Sequence, residues 1–184
     1  RGLVAAGGFE MLVAQAVYAA EYFTGRTLDC ETLIPKISRE LQKELQNVVL
    51  IGMPGCGKST VGAALAQKLG KTFVDADAEI ERRTGKAIPD IFAQEGEEAF
   101  RRYEADVIAD LTRQNRQVIA CGGGVVKTPQ NLHALRQNGP VLWVQRPIEK
   151  LATAGRPLSK GSEALRRMEH ERLPLYRAAA TGTV

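Results

Sequence analysis

The sequence predicts an α/β domain in which a parallel sheet is covered by helices on both faces. Three observations carry that expectation. Short apolar runs at Val48–Ile51, Thr72–Val74, Val118–Ala120 and Val141–Val144 alternate with helix-like stretches, the pattern of buried strands joined by crossover helices. The first run leads directly into Gly52-Met53-Pro54-Gly55-Cys56-Gly57-Lys58-Ser59-Thr60, which meets G-x-x-x-x-G-K-[ST] at every fixed position. Each remaining unusual cluster falls just after a strand, where ligands gather in open α/β sheets.

The elements follow in chain order. Residues 9–24 place Phe9, Leu12, Val13, Ala16, Val17, Ala20 and Phe23 on one helical stripe, and Gly25 closes it as glycines commonly close helices. Residues 26–46 read as a polar connector, partly helical from Pro35 through Leu45. Beyond Val48–Ile51, a helix is expected over Lys58–Leu69, a short strand over Thr72–Val74, and helices over Ala78–Arg83, Pro89–Gln94 and Glu97–Arg113. After Val118–Ala120 comes a helix over Pro129–Gln137, with Thr128 capping and Pro129 in its first turn. Val141–Val144 is the fourth strand, and Pro147–Ala152 and Ser162–Tyr176 read as helical. Pro174 within the last stretch predicts a kink or an end near Arg172.

Composition narrows the function classes. A 44% hydrophobic, 25% charged chain has the balance of a soluble globular protein. No run approaches the ~20 apolar residues that span a bilayer, and Glu10, Gln15 and Glu21 interrupt the apolar N-terminal stretch, so neither membrane nor secretory leader is expected. A net charge of +4 is too small to argue for nucleic acid. Cys30, Cys56 and Cys121 have neither metal-ligand nor disulfide spacing and fit a reducing cytoplasm. Because it starts at Arg1 and stops at Val184, the chain reads as a piece of a longer reading frame.

The glycine loop is a phosphate cradle. Its glycines let consecutive N–H groups point inward at a β-phosphate, and the positive end of the following helix adds to that field. Gly55, Cys56, Gly57, Lys58, Ser59 and Thr60 are the candidate nucleotide-binding residues, with Lys58 reaching the β- and γ-phosphates and Ser59 ligating Mg²⁺. Asp75 and Asp77 follow the second strand, and alternation aims both the same way while that strand continues. They read either as a helix cap with a solvated acid or as one acid for the metal shell and one for an acceptor hydroxyl. Arg101 and Glu104 are i, i+3 neighbours, an ordinary helix-surface ion pair taken alone. Gly122-Gly123-Gly124 implies either a close approach to the backbone or a flexible turn. Arg156, in the loop after the fourth strand, is a candidate lid residue over a transferring phosphoryl group.

Together these residues resemble the shikimate kinase family of small P-loop kinases, of the nucleoside-monophosphate-kinase type. The likeness runs from about Val48 to the chain end through GMPGCGKST, FVDAD, AIPDIFAQEGEEAFRRYE, CGGG, GRPLS and RLPLY. It implies a three-layer fold over residues 47–184 with a lid around 153–162, ATP and shikimate as substrates, and Mg²⁺ as cofactor. The resemblance further implies that Asp77 holds the ring hydroxyls and acts as base toward the 3-hydroxyl. Arg101 and Arg172 would grip the shikimate carboxylate, for which guanidinium forks are suited. The triplet Gly122, Gly123 and Gly124 would border the substrate, Gly123 offering its backbone. Glu104 would orient Arg101, and Phe92 and Phe100 would wall the pocket. Arg156 would reach the phosphates, Ser59 would bind Mg²⁺ directly, and Asp75 would stand in its outer shell. With Lys58, Asp77 and Arg156 form the catalytic set.

Two departures accompany the likeness. A second lid arginine has no match, leaving Lys150 as a substitute. The chain stops where a fifth strand would begin, so the last edge strand and final helix are expected to be missing, exposing the fourth strand and weakening stability and ATP binding. Residues 1–27, through GGFEMLVAQAVYAAEYFTGR, resemble the C-terminal helix of shikimate dehydrogenase, in which Gln15 would touch shikimate. With residues 28–46 as linker, the chain then reads as the junction of a dehydrogenase–kinase fusion. A gluconate-kinase-like enzyme and a nucleotide-binding fragment without turnover are the alternatives.

Overall fold

In the computed structural model, which describes residues 8–151 and 162–184, the chain divides into two units, Arg1–Leu45 and Gln46–Val184. The described part of the first is a helix pair, α1 (Gly8–Thr24) and α2 (Cys30–Leu45). Of the expected α1 stripe only Val13 and Val17 are buried, whereas Leu12 and Phe23 are exposed. Glu21 ties the turn together, its carboxylate accepting from the Leu28 N–H at 3.0 Å. The α2 helix starts five residues before Pro35, because the Asp29 carboxylate accepts from the Thr32 N–H and caps it.

The second unit runs β1 (Val48–Ile51), α3 (Lys58–Leu69), β2 (Thr72–Asp75), α4 (Ala76–Thr84), α5 (Ile88–Gln94), α6 (Gly96–Thr112) and β3 (Gln117–Ala120). It continues through α7 (Pro129–Gln137), β4 (Val141–Trp143), α8 (Ser162–Ala179) and β5 (Gly182–Thr183). All five strands are parallel, in the order β2-β3-β1-β4-β5. Val49, Leu50, Ile51, Val118, Ile119 and Val141 are almost wholly buried, as strands covered on both faces require. Because β1 lies between β3 and β4, the loops leaving their carboxyl ends emerge side by side, the arrangement in which open α/β sheets bind ligands.

One residue pins that register. Asn47, 1% exposed, precedes β1; its Nδ2 donates to the Gln114 carbonyl at 2.7 Å and its Oδ1 accepts from the Gln117 N–H at 2.9 Å. Its own N–H donates to the Asn138 carbonyl at 2.7 Å. A single residue thus fastens the start of β1 to its neighbours, its side chain to the entry of β3 and its backbone to the turn before β4.

Several expectations need correction. The last edge strand is present: Gly182 and Thr183 pair with Leu142 and Trp143, and the ladder extends from the Thr181 N–H on the Val141 carbonyl to the Val184 N–H on the Trp143 carbonyl. Thr-Gly-Thr-Val lacks the apolar run by which the other strands announce themselves, so periodicity cannot detect it. The argument for instability from an unpaired β4 edge therefore falls. Helix α8 does not end near Arg172 but continues past Pro174 to Ala179. Its last turn is held by the fully buried Tyr176 and Ala179 and by Arg136, whose guanidinium donates to the carbonyls of Ala178 and Ala179. The stretch after β4 is only a 3₁₀ turn, Ile148–Lys150, with Ala152 outside the described residues.

Replacing Asn47 with Ala orphans the buried Gln117 N–H at about 1–3 kcal/mol, whereas the Gln114 carbonyl keeps its bond from Asn138 Nδ2. Urea unfolding of Asn47→Ala is expected to show a stability loss of about 1–3 kcal/mol on that basis; an unchanged midpoint would remove Asn47 from this role.

Candidate active site

The loop between β1 and α3 is shaped by its neighbours. At Gly52 φ is +146°, and a Cβ would sit 2.5 Å from the Val144 carbonyl oxygen, so no larger residue fits against β4. Gly57, also at positive φ, precedes α3 with no side-chain cap, which leaves first-turn N–H groups for an anion. Lys58 donates to the carbonyls of Gly52 and Met53, each at 3.0 Å, holding its ammonium over the loop. Cys56 is buried within it.

Asp75 is a helix cap whose second carboxylate oxygen turns to the phosphate loop. Its Oδ1 accepts from the Asp77 and Ala78 N–H groups and caps α4, while its Oδ2 accepts from the Ser59 hydroxyl at 2.6 Å. The alternation argument for Asp77 does not hold, since β2 ends at Asp75 and Asp77 stands on the first turn of α4. Both nevertheless line one cavity of about 610 Å³ with Lys58, Arg101 and Arg172.

The glycine triplet is explained by approach rather than flexibility. A Cβ on Gly122 would lie 2.6 Å from Asp77 Oδ1, on Gly123 2.7 Å from Pro54 Cδ, and on Gly124 2.5 Å from Arg101 Nη2. Three consecutive residues are bare because three different groups press on them.

Arg101 is held from two sides, Nη1 on Glu104 and Nη2 on Glu97, both at 2.9 Å. Glu104 is 2% exposed, and burial raises its pKa from the ordinary carboxylate value although Arg101 opposes it. Glu97 is half exposed, and its pKa is lowered, mainly by the hydrogen bond from Arg101. Phe92 and Phe100 pack at 4.7 Å between centroids and wall the cavity, with Arg101 over the Phe100 ring. Arg172, which also lines the cavity, is 5% exposed, and its Nε has no hydrogen-bond partner among the described residues. Beside it, the Tyr176 hydroxyl donates to the Gly123 carbonyl at 2.5 Å, its ring stacks on Trp143, and burial pushes its pKa up to about 12.

Every candidate residue of the kinase site except Lys150 and Arg156 therefore lies at one carboxyl-end cavity or supports it; Arg156, with residues 153–161 of the expected lid, falls outside the described residues. The sequence reading missed Glu97, Pro54, Tyr176 and Arg146. The i, i+4 spacing of Glu97 and Arg101 was legible, whereas the other three depend on contacts across the fold. Gly124 has a negative φ of −97°, so alanine is conformationally allowed there and its methyl displaces only the end of Arg101. Gly124→Ala is expected to raise the KM for a carboxylate-bearing acceptor roughly tenfold or more, as for losing a charged hydrogen bond, with little change in melting temperature. An unchanged acceptor KM would show that Arg101 does not hold that acceptor.

Comparison with known proteins agrees with this geometry. A sequence model of the family described as shikimate kinase matches residues 54–184. The shikimate kinase of Nitrosomonas europaea is 44% identical over 142 residues, covering 73% of this chain and 67% of that protein. That of Thiobacillus denitrificans is 44% identical over 150 residues, covering 75% and 80%. Among solved structures, shikimate kinase from Acinetobacter baumannii in complex with shikimate superposes with a TM-score of 0.74 at 39% identity, covering 79% of this chain and 86% of that one. The Aquifex aeolicus enzyme gives 0.66 at 32% identity, covering 75% and 85%. The chain belongs to the shikimate kinase family.

Proposed function

We propose that this chain transfers the γ-phosphoryl group of ATP to the 3-hydroxyl of shikimate, giving shikimate 3-phosphate for aromatic amino-acid synthesis. The observation that carries the reading is a single cavity joining a phosphate loop to an acceptor end with one aspartate and two guanidinium groups. Asp77 accepts the proton of the attacking hydroxyl. Arg101 and Arg172 take the substrate carboxylate, Arg101 oriented by the buried Glu104. The backbone of Gly122–Gly124 forms the floor beneath the ring, and Phe92 and Phe100 cover its apolar face. Lys58 exchanges its loop carbonyls for the β- and γ-phosphates, and Arg156, by the family resemblance, would reach the same phosphates. Ser59 Oγ would bind Mg²⁺ directly, with Asp75 Oδ2, which accepts from the Ser59 hydroxyl at 2.6 Å, in its outer shell; hard oxygen donors beside phosphates and water suit that ion. Bound there, Mg²⁺ neutralises charge developing on the transferred group.

We further propose that residues 1–27 are the end of a shikimate dehydrogenase domain fused upstream, a reading supported by the resemblance of that helix. The coding sequence before Arg1 tests it: a dinucleotide-binding domain is expected, and its absence overturns the fusion.

For the kinase reading, ADP release from Mg-ATP is expected to require shikimate and not gluconate. Asp77→Asn is expected to lower kcat by roughly 10²–10⁴, the scale of general-base catalysis. Release that ignores shikimate, or a variant as fast as the parent, contradicts the assignment.

A further inference from the structure

We propose that Arg146 is a nucleotide-binding residue that contacts the phosphate chain of ATP from the β4 side of the loop. The proposal rests on the kinase reading above and goes beyond it, because neither the loop motif nor the lid supplies this cation. The sheet order puts β3 and β2 on one side of β1 and β4 on the other. Ser59, Asp75, Asp77 and the glycine triplet thus flank the loop from the β3–β2 side, with the metal and acceptor groups. The β4 side has its own contribution. Just beyond β4, Arg146 sends its guanidinium back over the loop, with Nη1 3.9 Å from where a Cβ on Gly57 would be. Gly57 immediately precedes α3, whose first N–H groups face an anion.

Arg146 lines two cavities, the substrate cavity and a second of about 400 Å³ bounded by Met53, Trp143 and Tyr176. It is exposed and, among the described residues, enters no ion pair. Its charge is therefore available to a ligand reaching from the loop toward the second cavity. A nucleoside triphosphate held by its β-phosphate extends both ways from the loop, and a planar fork suits phosphate oxygens. Lys150, which the sequence offered as the missing second cation, lies on the 3₁₀ turn and lines neither cavity.

Calorimetric titration of Mg-ADP and, separately, of shikimate onto the parent protein, Arg146→Gln and Arg146→Lys tests this without turnover. Arg146→Gln is expected to weaken Mg-ADP roughly ten- to hundredfold, as for losing a hydrogen bond to a charged group. Arg146→Lys should recover part of that loss, and shikimate binding and melting temperature should hold. Unchanged Mg-ADP affinity in Arg146→Gln would make Arg146 a solvated surface cation and overturn the proposal. Equal weakening of both ligands with a lower melting temperature would assign it a structural role and overturn it likewise. Parent protein that binds Mg-ADP but never consumes ATP with shikimate would sink the acceptor assignment while leaving this one standing.

Discussion

Close approach to the backbone after β3 is the constraint on which the site depends. Gly122, Gly123 and Gly124 each meet a different partner at a distance that a Cβ could share only by displacing it: Asp77 from α4, Pro54 from the phosphate loop, and Arg101 from α6. The three partners carry, in turn, the proposed acceptor base, the phosphate loop and the proposed carboxylate clamp. Their mutual placement is set by contact with one rigid stretch of chain, whose Gly123 carbonyl is tied from behind by Tyr176. Phosphoryl transfer asks mainly for positioning and charge stabilisation, and a joint that fixes all three parts supplies the positioning.

Electrostatics then decides what can enter. Glu104 is buried against its preference, with burial outweighing the pull of Arg101; an uncompensated buried charge costs several kcal/mol, so the pair survives as a unit. Arg101 keeps its second edge on Glu97, which is half exposed and sits on the first turn of α6. A substrate carboxylate can replace that contact by displacing an exposed side chain, which costs little. Arg172 is buried with an unpartnered Nε. A carboxylate placed between the two arginines would satisfy both.

Much of this was legible in the sequence because it is written in local patterns. Four strands showed as apolar runs, and the loop showed as a motif in strand–helix context. Asp77 and the triplet stood out by residue type after strands, whereas Arg101 and Glu104, inside α6, read alone as a surface ion pair and took their roles from the family likeness. What escaped depends on partners distant in the chain. The strand at Gly182–Thr183 has no pattern of its own and exists through its ladder with β4. Pro174 would break an isolated helix, yet α8 continues because Tyr176 and Ala179 are buried beyond it. Asp75 looked ambiguous between cap and metal shell because its two oxygens do different things. Arg146 gave no local signal, since its relation to Gly57 is made only by the adjacency of β1 and β4.

The most direct test of the account is the crystal structure of this chain with shikimate and Mg-ADP bound. The shikimate carboxylate is expected between Arg101 and Arg172, with Glu97 released from Arg101. A ring hydroxyl should lie within hydrogen-bonding distance of Asp77, above Gly122–Gly124. Shikimate bound with its carboxylate away from both arginines, or its ring away from the triplet, would contradict the claim that this joint organises the site.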